Sequence, residues 1–178
     1  LAALFALQAA RFAARVNASG DLVPLEEQDR GLWDARLLAC GFRHFDASMS
    51  GDRVTGYHIQ AAIAATHARA AHGGETPWGV ILALYDQLMT VEPSAVVALN
   101  RAVAVWRVHG AEAGLQAWRA IEGDAKLREY HLYRAVEGHL LLALGDRESA
   151  ARSFRAAMEC PCTEPERRLL RRKLGECG

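Results

Sequence analysis

Three groups of residues have types and spacing that could do chemistry. Glu27-Gln28-Asp29-Arg30, followed by Trp33-Asp34, sets a forked guanidinium among carboxylates, an amide and an indole. Arginine can bind a carboxylate through two parallel hydrogen bonds, so this stretch suits docking of another protein surface. The same residues can equally form a polar lattice that fixes their own loop. On a helix, Glu26 with Arg30 and Arg30 with Asp34 stand four apart and could pair. Asn100-Arg101 stands within an alanine- and valine-rich stretch, where an amide could hold a peptide backbone in a groove or bond between helices. Tyr57, Gln60 and His67 recur at helical steps. They suit either interhelical hydrogen bonding or a pocket that orients one small polar ligand.

Catalysis finds little support. No nucleophile stands beside a base, no glycine-rich phosphate loop occurs, and no pair of acids has a predictable geometry. The seven histidines (44, 58, 67, 72, 109, 131 and 139) form no His-Glu-x-x-His pattern. We therefore expect no catalytic residue, metal or cofactor. Cys160-Pro-Cys162 could close a strained redox bridge, but with Cys40 and Cys177 remote the four thiols read as incidental. Arg167, Arg168, Arg171, Arg172 and Lys173 form a basic run tempered by Glu164, Glu166 and Glu176, which fits a solvated helix or an acidic protein contact better than DNA. Lys+Arg and Asp+Glu are both 21, so the net charge is zero, and broad nucleic-acid binding is disfavoured.

The elements that must position these groups read as helices throughout. We expect about nine, in antiparallel hairpins. The first runs over residues 1–16, the second over 27–48 and the third over 55–71, with joints at 17–20, 50–52 and 72–74. Gly41 inside the second implies a close crossing or a break. Thr76-Pro77 signals the start of a fourth helix and Ser94 caps a fifth over 95–108. A sixth covers 111–121. Asp124 caps a seventh running to Leu144, and an eighth covers 147–158. Thr163-Glu-Pro-Glu166 is a capping box opening the last. No run of 18 apolar residues could span a membrane. Residues 1–74 form an amino-terminal helical part and 75–178 a set of hairpins; the two can also make one continuous domain.

Sliding the chain by 36 residues aligns Ala102 with Gly138, Gly114 with Ala150, Trp118 with Phe154 and Ile121 with Ala157. Small residues let two helices of a hairpin approach, and an aromatic fills the gap to the next hairpin. Gly138, Gly145, Ala150, Phe154 and Ala157 resemble a tetratricopeptide repeat, with a degraded copy before it. The expected fold is thus all-α, with a tetratricopeptide-like superhelix over the last 85 or so residues.

Several blocks together carry a wider resemblance. They are Leu25-Glu-Glu-Gln-Asp-Arg30 with Trp33-Asp34, Tyr57-His-Ile-Gln-Ala-Ala-Ile-Ala-Ala-Thr-His67, Leu84-Tyr-Asp86, Val96-Val-Ala-Leu-Asn-Arg-Ala-Val103, Tyr130-His-Leu132 and Glu164-Pro-Glu-Arg167. In order and spacing the chain resembles the carboxy-terminal, tetratricopeptide-like extension of bacterial extracytoplasmic-function RNA polymerase sigma factors. The resemblance implies a cytoplasmic regulatory domain without catalytic activity. It would modulate transcription initiation by docking to the sigma domains of the same polypeptide, to RNA polymerase, or to both. Promoter DNA would be read only by amino-terminal domains absent from these residues. The resemblance gives no guidance on Cys160 and Cys162 and assigns no special role to His58. The alternative expectation is a free-standing helical-repeat adaptor for a peptide or another protein.

Overall fold

The computed structural model describes residues 1–50 and 53–178. Gly51 and Asp52, in the joint expected at 50–52, lie outside the described residues. Nine α-helices are present among the described residues: α1 (Ala2–Ala9), α2 (Ala35–Ser48), α3 (Gly56–Arg69), α4 (Trp78–Val91), α5 (Ala95–His109), α6 (Ala111–Arg119), α7 (His131–Ala143), α8 (Arg147–Glu159) and α9 (Glu164–Gly175). The fold is all-α, and the helices pack largely on their neighbours in sequence. One isolated antiparallel bridge, between Val16 and Leu22, is the extended pairing seen among the described residues. It closes a turn in which Asn17 Oδ1 accepts from the backbone N–H groups of Ser19 and Asp21, each at 2.9 Å.

Contacts divide the chain into two compact units, Leu1–Glu92 and Pro93–Gly178. In the first, α1 packs on α2 and α3, and α4 packs on α3. That packing groups α4 with the helices before it, whereas the sequence places it with the hairpins that follow. Gly41 is buried where α2 crosses α1: a methyl there would stand 2.7 Å from Leu7 Cγ. This is the close crossing expected from its position.

Local chemistry shortened several expected helices. The first ends at Ala9, and a 3-10 turn over Phe12–Ala14 replaces its last turns. The second does not begin near residue 27. Asp34 adopts an extended conformation and its carboxylate accepts from Arg36 and Leu37 backbone N–H, so α2 starts at Ala35. Asp29 likewise caps a 3-10 turn over Arg30–Leu32. Asp124 caps a 3-10 turn over Ala125–Leu127, and α7 starts later, at His131. Thr76 does not cap α4; its hydroxyl is buried and Pro77 occupies the cap position. Short acidic side chains bind the nearest backbone donors whether or not a long helix follows, so the caps were legible and the helix lengths were not.

The second unit stacks hairpin α5–α6 on hairpin α7–α8, with α9 packed on α8. Ser94 caps α5 through Val97 N–H at 3.2 Å, and Asp146 caps α8 through Ser149 N–H at 3.0 Å. Thr163 and Glu166 cap α9 reciprocally. The helix starts keep the 36-residue offset: α7 begins 36 residues after α5, and α8 begins 36 residues after α6. Ala102 and Ala150 are fully buried, and so is Phe154, while Trp118 is 2% exposed. A methyl on Gly138 would lie 2.7 Å from the Phe154 ring, and one on Gly114 would lie 2.6 Å from Trp106 Cβ. Each hairpin therefore closes at a residue that has no room for a side chain.

Candidate functional site

In the first unit, residues 27–34 form a capped loop around a 3-10 turn and not an α-helix, so the helical spacing behind the expected Glu26–Arg30 and Arg30–Asp34 pairs is missing. Asp29 and Asp34 spend their carboxylates on backbone N–H groups. Gln28 is 7% exposed and donates from Nε2 to the carbonyl of Val23 at 3.0 Å, tying the loop to the segment before it. Arg30 stacks on Trp33, its Cζ 4.1 Å from the ring centroid, and Arg11 lies over the same indole at 5.7 Å. Glu27 is exposed. Trp33 itself is buried.

Tyr57, Gln60 and His67 all lie on α3. Tyr57 is exposed and lines a hollow of about 280 Å³ with Leu1, His44, Ser48 and His58. His67 lies ten residues further on, which at the helical rise is about 15 Å away. Its ring meets Trp78 edge-on at a centroid distance of 5.4 Å. Burial, then the charges of Arg11 and Arg30, push its pKa down to about 4, so the imidazole is neutral at pH 7. His58, given no special role above, is the reciprocal partner in the Thr55 capping box, with its Nδ1 3.1 Å from Thr55 N. Glutamate or glutamine is the recognisable signal at that position; a histidine in that role is easily passed over.

In the second unit Asn100 is exposed near the start of α5, and Arg101 beside it is half-buried and partnered. A separate polar cleft of about 540 Å³ opens among α6, α7 and α8. Arg119, Arg134 and Arg152 line it, with Glu137, Asp146 and Ser149. Arg134 meets Glu137 at 3.4 Å, while Arg152 binds Glu148 at 2.6 Å and Ser149 Oγ at 2.7 Å. Hydrogen bonds from the Ser149 side chain and backbone hold the exposed Asp146 carboxyl below its ordinary pKa. The three guanidiniums outnumber the two carboxylates in the lining. Sequence reading missed this cleft because its cations come from three helices, and no local spacing unites them.

Other groups stay within their own surroundings. In α9, Arg167 and Arg171 reach Glu164 at 3.8 and 3.0 Å, and Lys173 reaches Glu176 at 2.9 Å. All four cysteines are free and half-buried, and burial pushes the Cys160 thiol pKa up. Among the described residues no group of three His, Cys, Asp or Glu is placed to hold a metal. No helix among them is long and apolar enough to cross a membrane.

With this geometry in place, comparison with known proteins adds two likenesses. Residues 1–49 match a family described as a family of unknown function, DUF6596. That segment contains α1, the capped loop and α2. An uncharacterized protein of Rhizobium meliloti (strain 1021) is 39% identical over 174 residues, which is 98% of this chain and 41% of that protein. The chain thus spans less than half the length of this relative. No solved structure matches the chain.

Proposed function

We propose that this chain is a helical-hairpin protein-interaction module whose second unit takes an acidic segment of another protein. The observation that carries this reading is the cleft among α6, α7 and α8, where Arg119, Arg134 and Arg152 converge from three helices. Arginine forks match carboxylates in number and geometry. The stacked hairpins supply a firm frame for them, and the equivalence of Trp118 with Phe154 supports a tetratricopeptide-like arrangement. The exposed Asn100 face of α5 is a second contact surface of the same module.

A more specific setting is the carboxy-terminal extension of an extracytoplasmic-function sigma factor. It is supported by the motif blocks, above all Gln28-Asp29-Arg30 with Trp33-Asp34 and Val97-Ala-Leu-Asn-Arg101. The greater length of the Rhizobium relative leaves room for further domains. In that setting the partner is the sigma domains or RNA polymerase, and tethering raises their local concentration at this surface.

Immobilised chain, offered core RNA polymerase, isolated sigma domains and a fluorescent glutamate-rich peptide in turn, tests both readings. Retention of sigma domains or polymerase, weakened by Arg101→Ala or by Arg119→Ala with Arg152→Ala, supports the sigma setting. Peptide binding alone, lost in the double variant, supports a general adaptor. Retention of none of the three overturns the interaction reading.

A further inference from the structure

The first unit gathers basic and hydrogen-bond-donating groups that the protein itself leaves without acceptors. Arg30 Nε, Nη1 and Nη2 are buried and make no hydrogen bond, and the same holds for Arg11 Nε and Arg15 Nε. His67 Nδ1 and Trp33 Nε1 are also buried and unpaired. These atoms belong to one neighbourhood. Arg11 and Arg30 both lie over the Trp33 ring. The charges that act on Arg11 are those of Arg15 and Arg30, and those that act on His67 are Arg11 and Arg30.

Folding brings the pieces together through specific contacts. The backbone N–H of Asp34 donates to the carbonyl of Ala10 at 2.9 Å, pinning the capped loop to the end of α1. Gly73, just beyond α3, sits so close to the Glu26 backbone that no side chain would fit. The end of α3 that carries His67 is thereby held beside the same loop.

Asp29 and Asp34 turn a carboxylate oxygen to backbone donors and are exposed, so neither supplies the hydrogen bond that the buried Arg30 nitrogens lack. Arg15 donates from Nη2 to the neutral amide of Gln8 at 3.2 Å and lies over the Phe12 ring at 5.1 Å, neither of which is an anionic partner. Burying like charges together is costly, and burial with mutual repulsion lowers the Arg11 pKa to about 10. A structural role alone would be served better by apolar side chains of similar size. Such a set is what an oxyanion site draws on: neighbouring guanidiniums, a neutral imidazole with an unpaired ring nitrogen, and an indole N–H.

We propose that Arg11, Arg15, Arg30 and His67 form a binding site for the phosphoryl group of a small molecule, lying against Trp33 in the first unit. A tetrahedral dianion can accept hydrogen bonds from several directions and offset more than one cation. A planar carboxylate engages one fork and leaves the other guanidiniums uncompensated. The site is distinct from the acidic-segment cleft of the second unit, so either proposal can fail without the other.

The test is thermal unfolding of the whole chain in inorganic phosphate, glycerol phosphate, acetate or chloride, at matched ionic strength and pH. Inorganic phosphate or glycerol phosphate should raise the midpoint by about 4 °C or more at saturation, and acetate should match chloride. A response to glycerol phosphate alone identifies a monoester site, and a response to both identifies a general phosphoryl site. Arg30→Lys, which keeps the charge but loses the fork, should weaken apparent phosphate affinity about tenfold or more. Arg43→Ala, an exposed arginine of α2, should leave it unchanged. Isothermal titration with phosphate on the folded Arg30→Lys protein provides a readout independent of its own melting point. Equal midpoints in phosphate and chloride, a response to acetate as large as to phosphate, or full affinity in Arg30→Lys would each overturn the site.

Discussion

The indole of Trp118 stacks on the ring of Tyr133, with centroids 4.4 Å apart and planes 15° from parallel, and its Nε1 donates to the backbone carbonyl of the same tyrosine at 2.9 Å. One side chain at the end of α6 therefore grips both the ring and the main chain of α7. It lies in a core with Leu99, Ala102, Leu115, Leu127 and Leu140.

Trp118→Ala should destabilise the second unit by about 3–5 kcal/mol, because it empties a buried site between two hairpins. Trp118→Phe should cost less, since the aromatic contact survives while the hydrogen bond, worth about 1 kcal/mol, is lost. Urea unfolding followed by circular dichroism gives both values. A midpoint shift near zero for Trp118→Ala would show that the ring is not part of the hairpin junction.

Gly138→Ala should destabilise even though alanine is the better helix former by about 1 kcal/mol. The added methyl would press into the Phe154 ring, which is fully buried, and overpacking of that kind costs about 1–3 kcal/mol. Phe154→Leu alone leaves a gap and should also destabilise. Combined, the two changes should cost less than the sum of the single effects, because each relieves the fault made by the other. Strict additivity in a double-mutant cycle would break the proposed contact.

Asp34→Ala should lower stability by about 1 kcal/mol through loss of the α2 cap, and Asp34→Asn should retain most of it. The same substitution tests whether Asp34 acts as a cap or as a docking carboxylate. A cap loses stability and partner binding in proportion, whereas a docking group loses binding alone.

Acid should weaken the fold through two half-buried histidines. Burial, then Lys173, lowers the His139 pKa to about 4 against the opposing pull of Glu176, and His67 is lowered to a similar value. Between pH 6.5 and 4 the unfolded chain takes up protons that the folded chain refuses. Stability is fully present above the unfolded pKa and falls with pH, by up to about 1.4 kcal/mol per pH unit for each histidine, levelling below pH 4. Urea midpoints measured from pH 7.5 to 4 should drop less steeply in His139→Gln than in the parent chain. Parallel slopes in the two proteins would contradict the assigned titration.

The features legible in the sequence were those fixed by a few neighbouring residues or by a repeat. Thr163 and Glu166 announced the start of α9, and Ser94 that of α5, because a cap is a local bargain between a side chain and the next turn. The pairing of Trp118 with Phe154 emerged from the 36-residue offset. Positions set by distant contacts stayed hidden. Nothing near Arg30 in the sequence indicates that Arg11 would share its indole, and nothing near Arg119 indicates Arg152. Even the helix expected from residue 27 misled at its start, because Asp29 and Asp34 each found a closer set of backbone donors.

The neighbour-on-neighbour order of helices in the second unit has a dynamic consequence. In a stack built this way, loss of structure advances stepwise from an end instead of striking everywhere at once. Helix α9 packs mainly on α8, whereas α7 packs on both α6 and α8, so such a front crosses α9 readily and stalls at the Trp118–Tyr133 junction. Amide hydrogens should accordingly exchange in a gradient, faster along α9 and slowest beside that junction, so one margin of the unit can loosen while its interior stays shut.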